Sequence, residues 1–228
     1  MDDRTLFRYP PDYRVGEMKT VLDWSGYTGA GGGFQGAVEM CNNNGTCRSF
    51  DAGVMCPSYR VTRDEEHVTR GRANTLRLAL TGQLGPDAMA SDEVAAAMQL
   101  CVSCKGCRRE CPTGVDMAKM KIEVLAVRAA RHGLSRRDRL IANLPRMAPL
   151  ISRARLFANA RNRSAMLRRF GEHSLGIAAD RPLPEWAPQP FRDTEAPNAP
   201  GRFGEVFLFA DTFNRCSSRK ICVPRCEY

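Results

Sequence analysis

The sequence has 228 residues, 43% of them hydrophobic and 7% aromatic, with a net charge of +9 and ten cysteines. That apolar fraction supports a packed core and excludes collagen-like, mucin-like and wholly disordered chains. No run approaches the ~20 apolar residues of a membrane helix, and the first thirty residues lack a basic start followed by an apolar stretch, so no transmembrane segment and a cytoplasmic location are expected.

In chain order, residues 1–35 read as a connector: Tyr9-Pro10-Pro11-Asp12-Tyr13 favours extended backbone and Gly31-Gly32-Gly33 is too permissive to hold regular structure alone. Residues 36–135 form the expected ordered centre. A first helix is predicted from about Asp64 to Gln83, opened by Asp64-Glu65-Glu66 and stopped at Gly82 and Gly85-Pro86. A second starts at Ser91 as N-cap and runs toward Cys101, and a third follows Gly114 and ends at Gly133. Residues 136–181 are an Arg-rich extension, predicted as two or three short helices broken at Pro145 and Pro149. Between Arg131 and Phe170 eleven arginines face one acidic residue, Asp138, a net of +10 that accounts for the whole charge excess. Residues 182–204 read as a Pro-rich extended linker. Residues 205–214 then carry one orphan strand, Val206 to Asp211, with no partner in the chain. The predicted class is mostly α.

In a reducing compartment clustered thiols bind metal or do redox work more often than they form disulfides. Cys101-x2-Cys104-x2-Cys107-x3-Cys111-Pro112 is the strongest signal, the spacing by which thiolates wrap an iron–sulfur cluster; Gly106 lets the backbone approach the sulfides and Pro112 suits a first helical turn. Cys41-x5-Cys47 and Cys56-Pro57 repeat the pattern with Asn44 in place of the second cysteine. In two-cluster proteins the cysteine before proline serves the other cluster. On that rule Cys56, Cys101, Cys104 and Cys107 hold one [4Fe–4S] cluster. Cys41, Cys47 and Cys111 hold a second, either [3Fe–4S] or [4Fe–4S] with a non-cysteine group on the fourth iron. Two alternatives stay open: zinc, and a single cluster on Cys101, Cys104, Cys107 and Cys111. Lys105, Arg108 and Arg109 either raise the cluster potential or form a solvated surface, and His67 either touches a site or is a surface histidine. No catalytic residue is assigned.

Cys41-Asn-Asn-Asn-Gly-Thr-Cys47-Arg48, Met55-Cys56-Pro57-Ser58-Tyr59, Thr69-Arg70-Gly71-Arg72-Ala73-Asn74 and the Cys101–Pro112 run resemble the iron–sulfur segment of bacterial FAD-linked 2-hydroxyacid dehydrogenases of the D-lactate and D-2-hydroxyglutarate type. That segment is related to the iron–sulfur subunits of glycolate oxidase and anaerobic glycerol-3-phosphate dehydrogenase. The resemblance covers residues 5–214. It implies an α-helical ferredoxin fold with two cluster loops, preceded by a FAD-binding oxidase domain and followed by a cysteine-rich domain. Electrons would pass from flavin through the clusters to a quinone or another acceptor. No flavin-binding residue matches, so FAD is expected only in the missing domain, and residues 1–35 become the linker from it.

The resemblance stops near Asn214. One permitted codon choice for residues 216–228, read in a shifted frame, resembles the family's continuation, so 215–228 is expected to be an out-of-frame tail with Cys216, Cys222 and Cys226 accidental; a third metal site is the alternative. The expected function is an electron-transfer module, a fragment with no complete active site, held near the inner membrane face only through partners. The rival is a zinc-stabilised module binding nucleic acid or another anion through Arg131–Arg169, weakened because only Phe157 and Phe170 are interleaved there.

Overall fold

The computed structural model describes residues 15, 18–28, 31–195, 209–218 and 222. Among these the chain folds into ten α-helices and short 3-10 turns, with no strand. It divides into two compact units, Met1–Gly133 and Leu134–Tyr228.

In the first unit α1 (Gly33–Glu39), α2 (Pro57–Thr62), α3 (Thr69–Leu80), α4 (Asp92–Gln99), α5 (Gly106–Glu110) and α6 (Met117–His132) gather around α3, against which α1, α4 and α6 all pack. The reason is the stripe on α3: Thr69, Arg72, Ala73, Leu76 and Ala79 recur at helical spacing and are buried. Val38, Val68, Leu76, Val94, Met120 and Val124 are fully sealed. The helix starts five residues later than the acidic run suggested, because Asp64 accepts from the Glu66 N–H and closes a separate 3-10 turn, Glu65–His67. Ser91 caps α4 through the Val94 N–H, and Gly133, at φ 76°, ends α6, both as the sequence predicts.

The described part of the 1–35 connector is packed instead of free. The Glu123 carboxylate, fully buried on α6, accepts from the Val21 and Leu22 N–H groups at 2.9 Å and from the Trp24 indole at 2.8 Å. Trp24 stacks edge-on against Phe34. Gly31, Gly32 and Gly33 all take positive φ and lead straight into α1. Residues 1–14 lie outside the described residues.

In the second unit α7 (Arg136–Arg153), α8 (Arg155–Arg163) and α9 (Ala165–Leu175) follow in succession, and α10 (Thr212–Cys216) packs on α7. Pro145 and Pro149 do not break α7; it runs through both. Four residues apart, they share one side of the helix, so the missing N–H groups and the crowding of preceding carbonyls fall on one face and leave the other face's hydrogen bonds unbroken. The described part of the Pro-rich linker is pinned down: Asn159 pairs with both backbone groups of Trp186, Asn162 with both of Leu183, and Phe191 is buried. Of the predicted strand, residues 205–208 lie outside the described residues. Residues 209–211 have no regular structure, and from Thr212 the chain is helical because Asp211 caps the Phe213 and Asn214 N–H groups. Cys216 and Cys222 are buried; Cys226 is outside the described residues.

Candidate iron–sulfur centre

The two cysteine loops are the same object built twice. In the first, Asn43 and Gly45 have φ of 62° and 81°; in the second, Ser103 and Lys105, at the same two positions after the leading cysteine, have φ of 55° and 58°. Left-handed residues alternating along a loop form backbone concavities that suit anions, iron–sulfur clusters among them. Asn44 therefore occupies the backbone position that Cys104 takes in the other loop. Each loop is also anchored alike at its start, since Arg77 from α3 donates to the Cys41 carbonyl and Lys121 from α6 to the Cys101 carbonyl.

Each loop ends alike too. The Cys56 sulfur lies 3.4 Å from the Ser58 hydroxyl and the Cys111 sulfur 3.3 Å from that of Thr113. Pro57 opens α2, whereas Pro112 belongs to a turn closed by the Gly114 N–H on the Cys111 carbonyl, with α6 starting only at Met117. The first-helical-turn role expected of Pro112 is thus not met there; Pro57 fills such a role instead.

Cys56 from the first set and Cys101, Cys104 and Cys107 from the second line one cleft, together with Met55, Ser58, Thr69, Arg72, Met117 and other residues. Two contacts bring the loops together. The Glu110 carboxylate on α5 accepts from the Val54 N–H at 2.9 Å and the Met55 N–H at 2.8 Å. Gly106 is the other: a Cβ there would meet the Val54 Cγ2 at 2.9 Å and the Met55 nitrogen at 3.4 Å. Its lack of a side chain serves the approach of the partner loop, a reason that spacing alone did not supply.

Cys41 and Cys47 are both buried, and Cys47 lies within charge range of Cys41 and of Cys56. Cys111 is half-buried past the end of α5, with its hydrogen-bond partners drawn from residues 113–115. Cys104 is exposed and Cys101 half-buried. Burial pushes the Cys47 and Cys107 thiols up, with Cys41, Glu65 and Cys56 adding to the first and Asp116 and Cys101 to the second. Burial would raise Cys56 and Cys111 as well, but hydroxyl and backbone donors, and Arg72 at Cys56, outweigh it and hold both below the ordinary thiol value.

The donor set suits a cluster better than one ion. Tetrahedral zinc with Zn–S bonds of ~2.3 Å sets its sulfurs about 3.8 Å apart. Among the described residues, the one group of three or more metal-type donors within 4.8 Å of one another is Asp64, Glu66 and His67; no three cysteine sulfurs come that close. A four-iron cluster spaces its thiolates more widely. The Thr69 hydroxyl, 1% exposed and on the cleft wall, has no hydrogen-bond partner, as expected of a donor facing a missing acceptor.

The charged residues named from sequence have other duties. Lys105 pairs with Asp116 at 2.9 Å and Arg108 donates to the Gly114 carbonyl. His67 serves through its backbone, its carbonyl accepting from the Ser58 hydroxyl at 2.6 Å. The residues that brace the cleft are Arg72, Ser58, Glu110 and Thr69. All four lie inside quoted motifs, but nothing in their spacing marks them as cleft residues.

Residues 37–115 match the family described as the 4Fe-4S dicluster domain. Over those residues the chain is similar to a two-cluster iron–sulfur domain. It is 30% identical over 185 residues to "D-2-hydroxyglutarate dehydrogenase" of Escherichia coli (strain K12), an alignment covering 66% of this chain and 18% of that protein. It is 27% identical over 183 residues to the Haemophilus influenzae protein of the same name, again covering 66% and 18%. A third relative, "Probable glycolate oxidase iron-sulfur subunit" of Bacillus subtilis (strain 168), is 27% identical over 163 residues, 65% of this chain and 35% of that one. The chain thus spans about a fifth of the curated dehydrogenases it matches. No solved structure matches it significantly. Among the described residues no helix is long and apolar enough to cross a membrane.

Proposed function

We propose that this chain is the electron-relay segment of a FAD-linked 2-hydroxyacid dehydrogenase, taking electrons from a flavin domain and passing them toward a quinone or another acceptor. The observation that carries the reading is the convergence of Cys56 with Cys101, Cys104 and Cys107 on one cleft, although forty-four residues separate the two loops. In this reading those four thiolates hold a [4Fe–4S] cluster. Cys41, Cys47 and Cys111 hold the second, as [3Fe–4S] or as [4Fe–4S] with a non-cysteine group on its fourth iron. Bound there, such clusters supply reversible one-electron storage.

The chain's own residues fix the ligands in place. Glu110 and Gly106 hold one loop against the other, Met117 and Ala118 close the cleft wall, and Arg77 and Lys121 fix the first residue of each loop. The relatives' names point to 2-hydroxy acids as the substrate class, with substrate and FAD both bound by a preceding oxidase domain. The domain scheme follows: a linker over 1–35, the cluster domain over 36–135, the Arg-rich extension over 136–181, a linker over 182–204, the start of a cysteine-rich domain at 205–214 and an out-of-frame tail beyond. Through its partners the assembly would lie at the inner membrane face.

Anaerobic reconstitution of the full chain with iron and sulfide tests the reading. Cys104→Ser should lower both the visible absorbance and the iron per chain by about half, since one of two clusters loses a thiolate. Unchanged iron per chain, or zinc in place of iron in the protein as isolated, would reject it.

A further inference from the structure

Arg72 is the one buried cation among the described residues, 1% exposed at the centre of the α3 stripe. Its guanidinium is spent in three directions: Nε donates to the Ala97 carbonyl at 2.7 Å, Nη2 to the Ser58 hydroxyl at 2.9 Å, and Nη1 to the Cys56 sulfur at 3.5 Å. Ser58 passes its own proton to the His67 carbonyl, so it is free to accept from Arg72. None of the three partners is a carboxylate, and among the described residues no carboxylate pairs with this arginine. A guanidinium stays charged in proteins, and burying a charge without an opposite one is costly. A helix stripe that otherwise holds Thr69, Ala73, Leu76 and Ala79 carries no other charge, and an apolar residue there would avoid that cost. Nη1 points to Cys56 and so toward the cleft that Arg72 itself lines, the side on which a negative group could meet it.

We propose that Arg72 is the fixed counter-charge of the redox group held by Cys56, Cys101, Cys104 and Cys107, and that it sets the reduction potential of that group. The inference rests on the reading of those four thiols as cluster ligands. One-electron reduction adds one negative charge to the site with no change in the protein's own charges. A cation beside the site therefore favours the reduced form, most strongly where water is excluded. The other basic residues nearby cannot substitute for it. Lys105 is 61% exposed and already paired with Asp116, and Arg108 and Arg109 are exposed, where solvent and salt screen them. Arg72 is a positioning and tuning residue; it leaves the thiolates as the only ligands.

Redox titration of the anaerobically reconstituted full chain, followed by electron paramagnetic resonance with dithionite as reductant, tests this on Arg72→Gln and Arg72→Lys. Arg72→Gln should keep its iron and shift the reduction equilibrium of one cluster at least tenfold toward the oxidised form, 59 mV for a one-electron couple, leaving the other cluster's signal in place. Arg72→Lys, which keeps the charge but loses the planar fork, should fall between the wild type and Arg72→Gln. Full iron with an unshifted midpoint in Arg72→Gln overturns the proposal. If Arg72→Gln fails to load a cluster while Arg72→Lys loads one, the charge is the requirement and the proposal stands. If neither loads, Arg72 is a packing bolt and the proposal falls. A wild-type chain that binds no iron would instead sink the cluster reading itself.

Discussion

Asn44 shows how much one residue decides at this site. Its side-chain oxygen accepts from the Thr46 N–H at 2.9 Å and its amide nitrogen donates to the Asn42 side-chain oxygen at 2.6 Å, so both ends of the side chain are spent within the loop. An amide committed in this way keeps the shape that Cys104 has in the other loop without offering a thiolate. Asn44→Cys should therefore add the absent fourth ligand. Where the second cluster is [3Fe–4S], iron per chain would rise by one and the paramagnetic signal of its oxidised form would disappear; a three-iron signal that persists in the variant would show that position 44 does not face the cluster. The seven candidate cysteines and the Asn44 gap stand out by spacing, because thiolate–iron geometry restricts spacing tightly. Arg72 could not. An arginine three residues after Thr69 in a helix reads as a solvated side chain, and only the packing of α3 against α4 and the Cys56 loop turns it inward.

At the scale of elements, the helices with chemical start and stop signals were legible. Ser91 and Gly133 act locally, through one hydroxyl on an orphan N–H and one residue with positive φ, so their effect does not wait on tertiary structure. The start of α3 was not legible, because a 3-10 turn and an α-helix share the same acidic opening and differ only in what they pack against. Gly71 records that packing. It lies in the first turn of α3, where alanine is still the better helix former, yet a Cβ there would come within 1.8 Å of the Glu65 carbonyl oxygen. That atom is backbone and cannot swing aside. Propensity alone predicts that Gly71→Ala stabilises the chain. The contact predicts the opposite, a net loss of about 1–3 kcal/mol in denaturant unfolding followed by circular dichroism. A raised midpoint would mean that the turn before α3 adapts freely. The prolines of α7 make the complementary point: they were read as breaks from their single-residue cost, whereas placement on one helix side lets an 18-residue helix absorb both.

For the whole molecule, the separation into two units assigns the net charge and the cysteines to different places. All seven candidate ligands lie before Gly133, while ten of the eleven arginines of the basic stretch lie after it. Not all of those arginines are free to meet a partner: Arg161 donates to the carbonyls of Ile177, Ala178 and Arg181 and so holds the segment after α9 in place. What the second unit does present is apolar surface among arginines. Leu156 on α8 is 73% exposed and Phe157 85%, Met166 on α9 76% and Phe170 67%. Exposed apolar residues of that size favour self-association in a chain separated from whatever normally covers them. Phe157→Ser combined with Phe170→Ser should therefore reduce light scattering of the purified protein at a given concentration. The same double variant should leave iron per chain and the electron paramagnetic resonance spectrum unchanged, because neither ring belongs to the unit that holds the thiols. A parallel loss of iron would mean that the second unit supports the cluster loops directly, and that the two units do not divide the work as their compositions suggest.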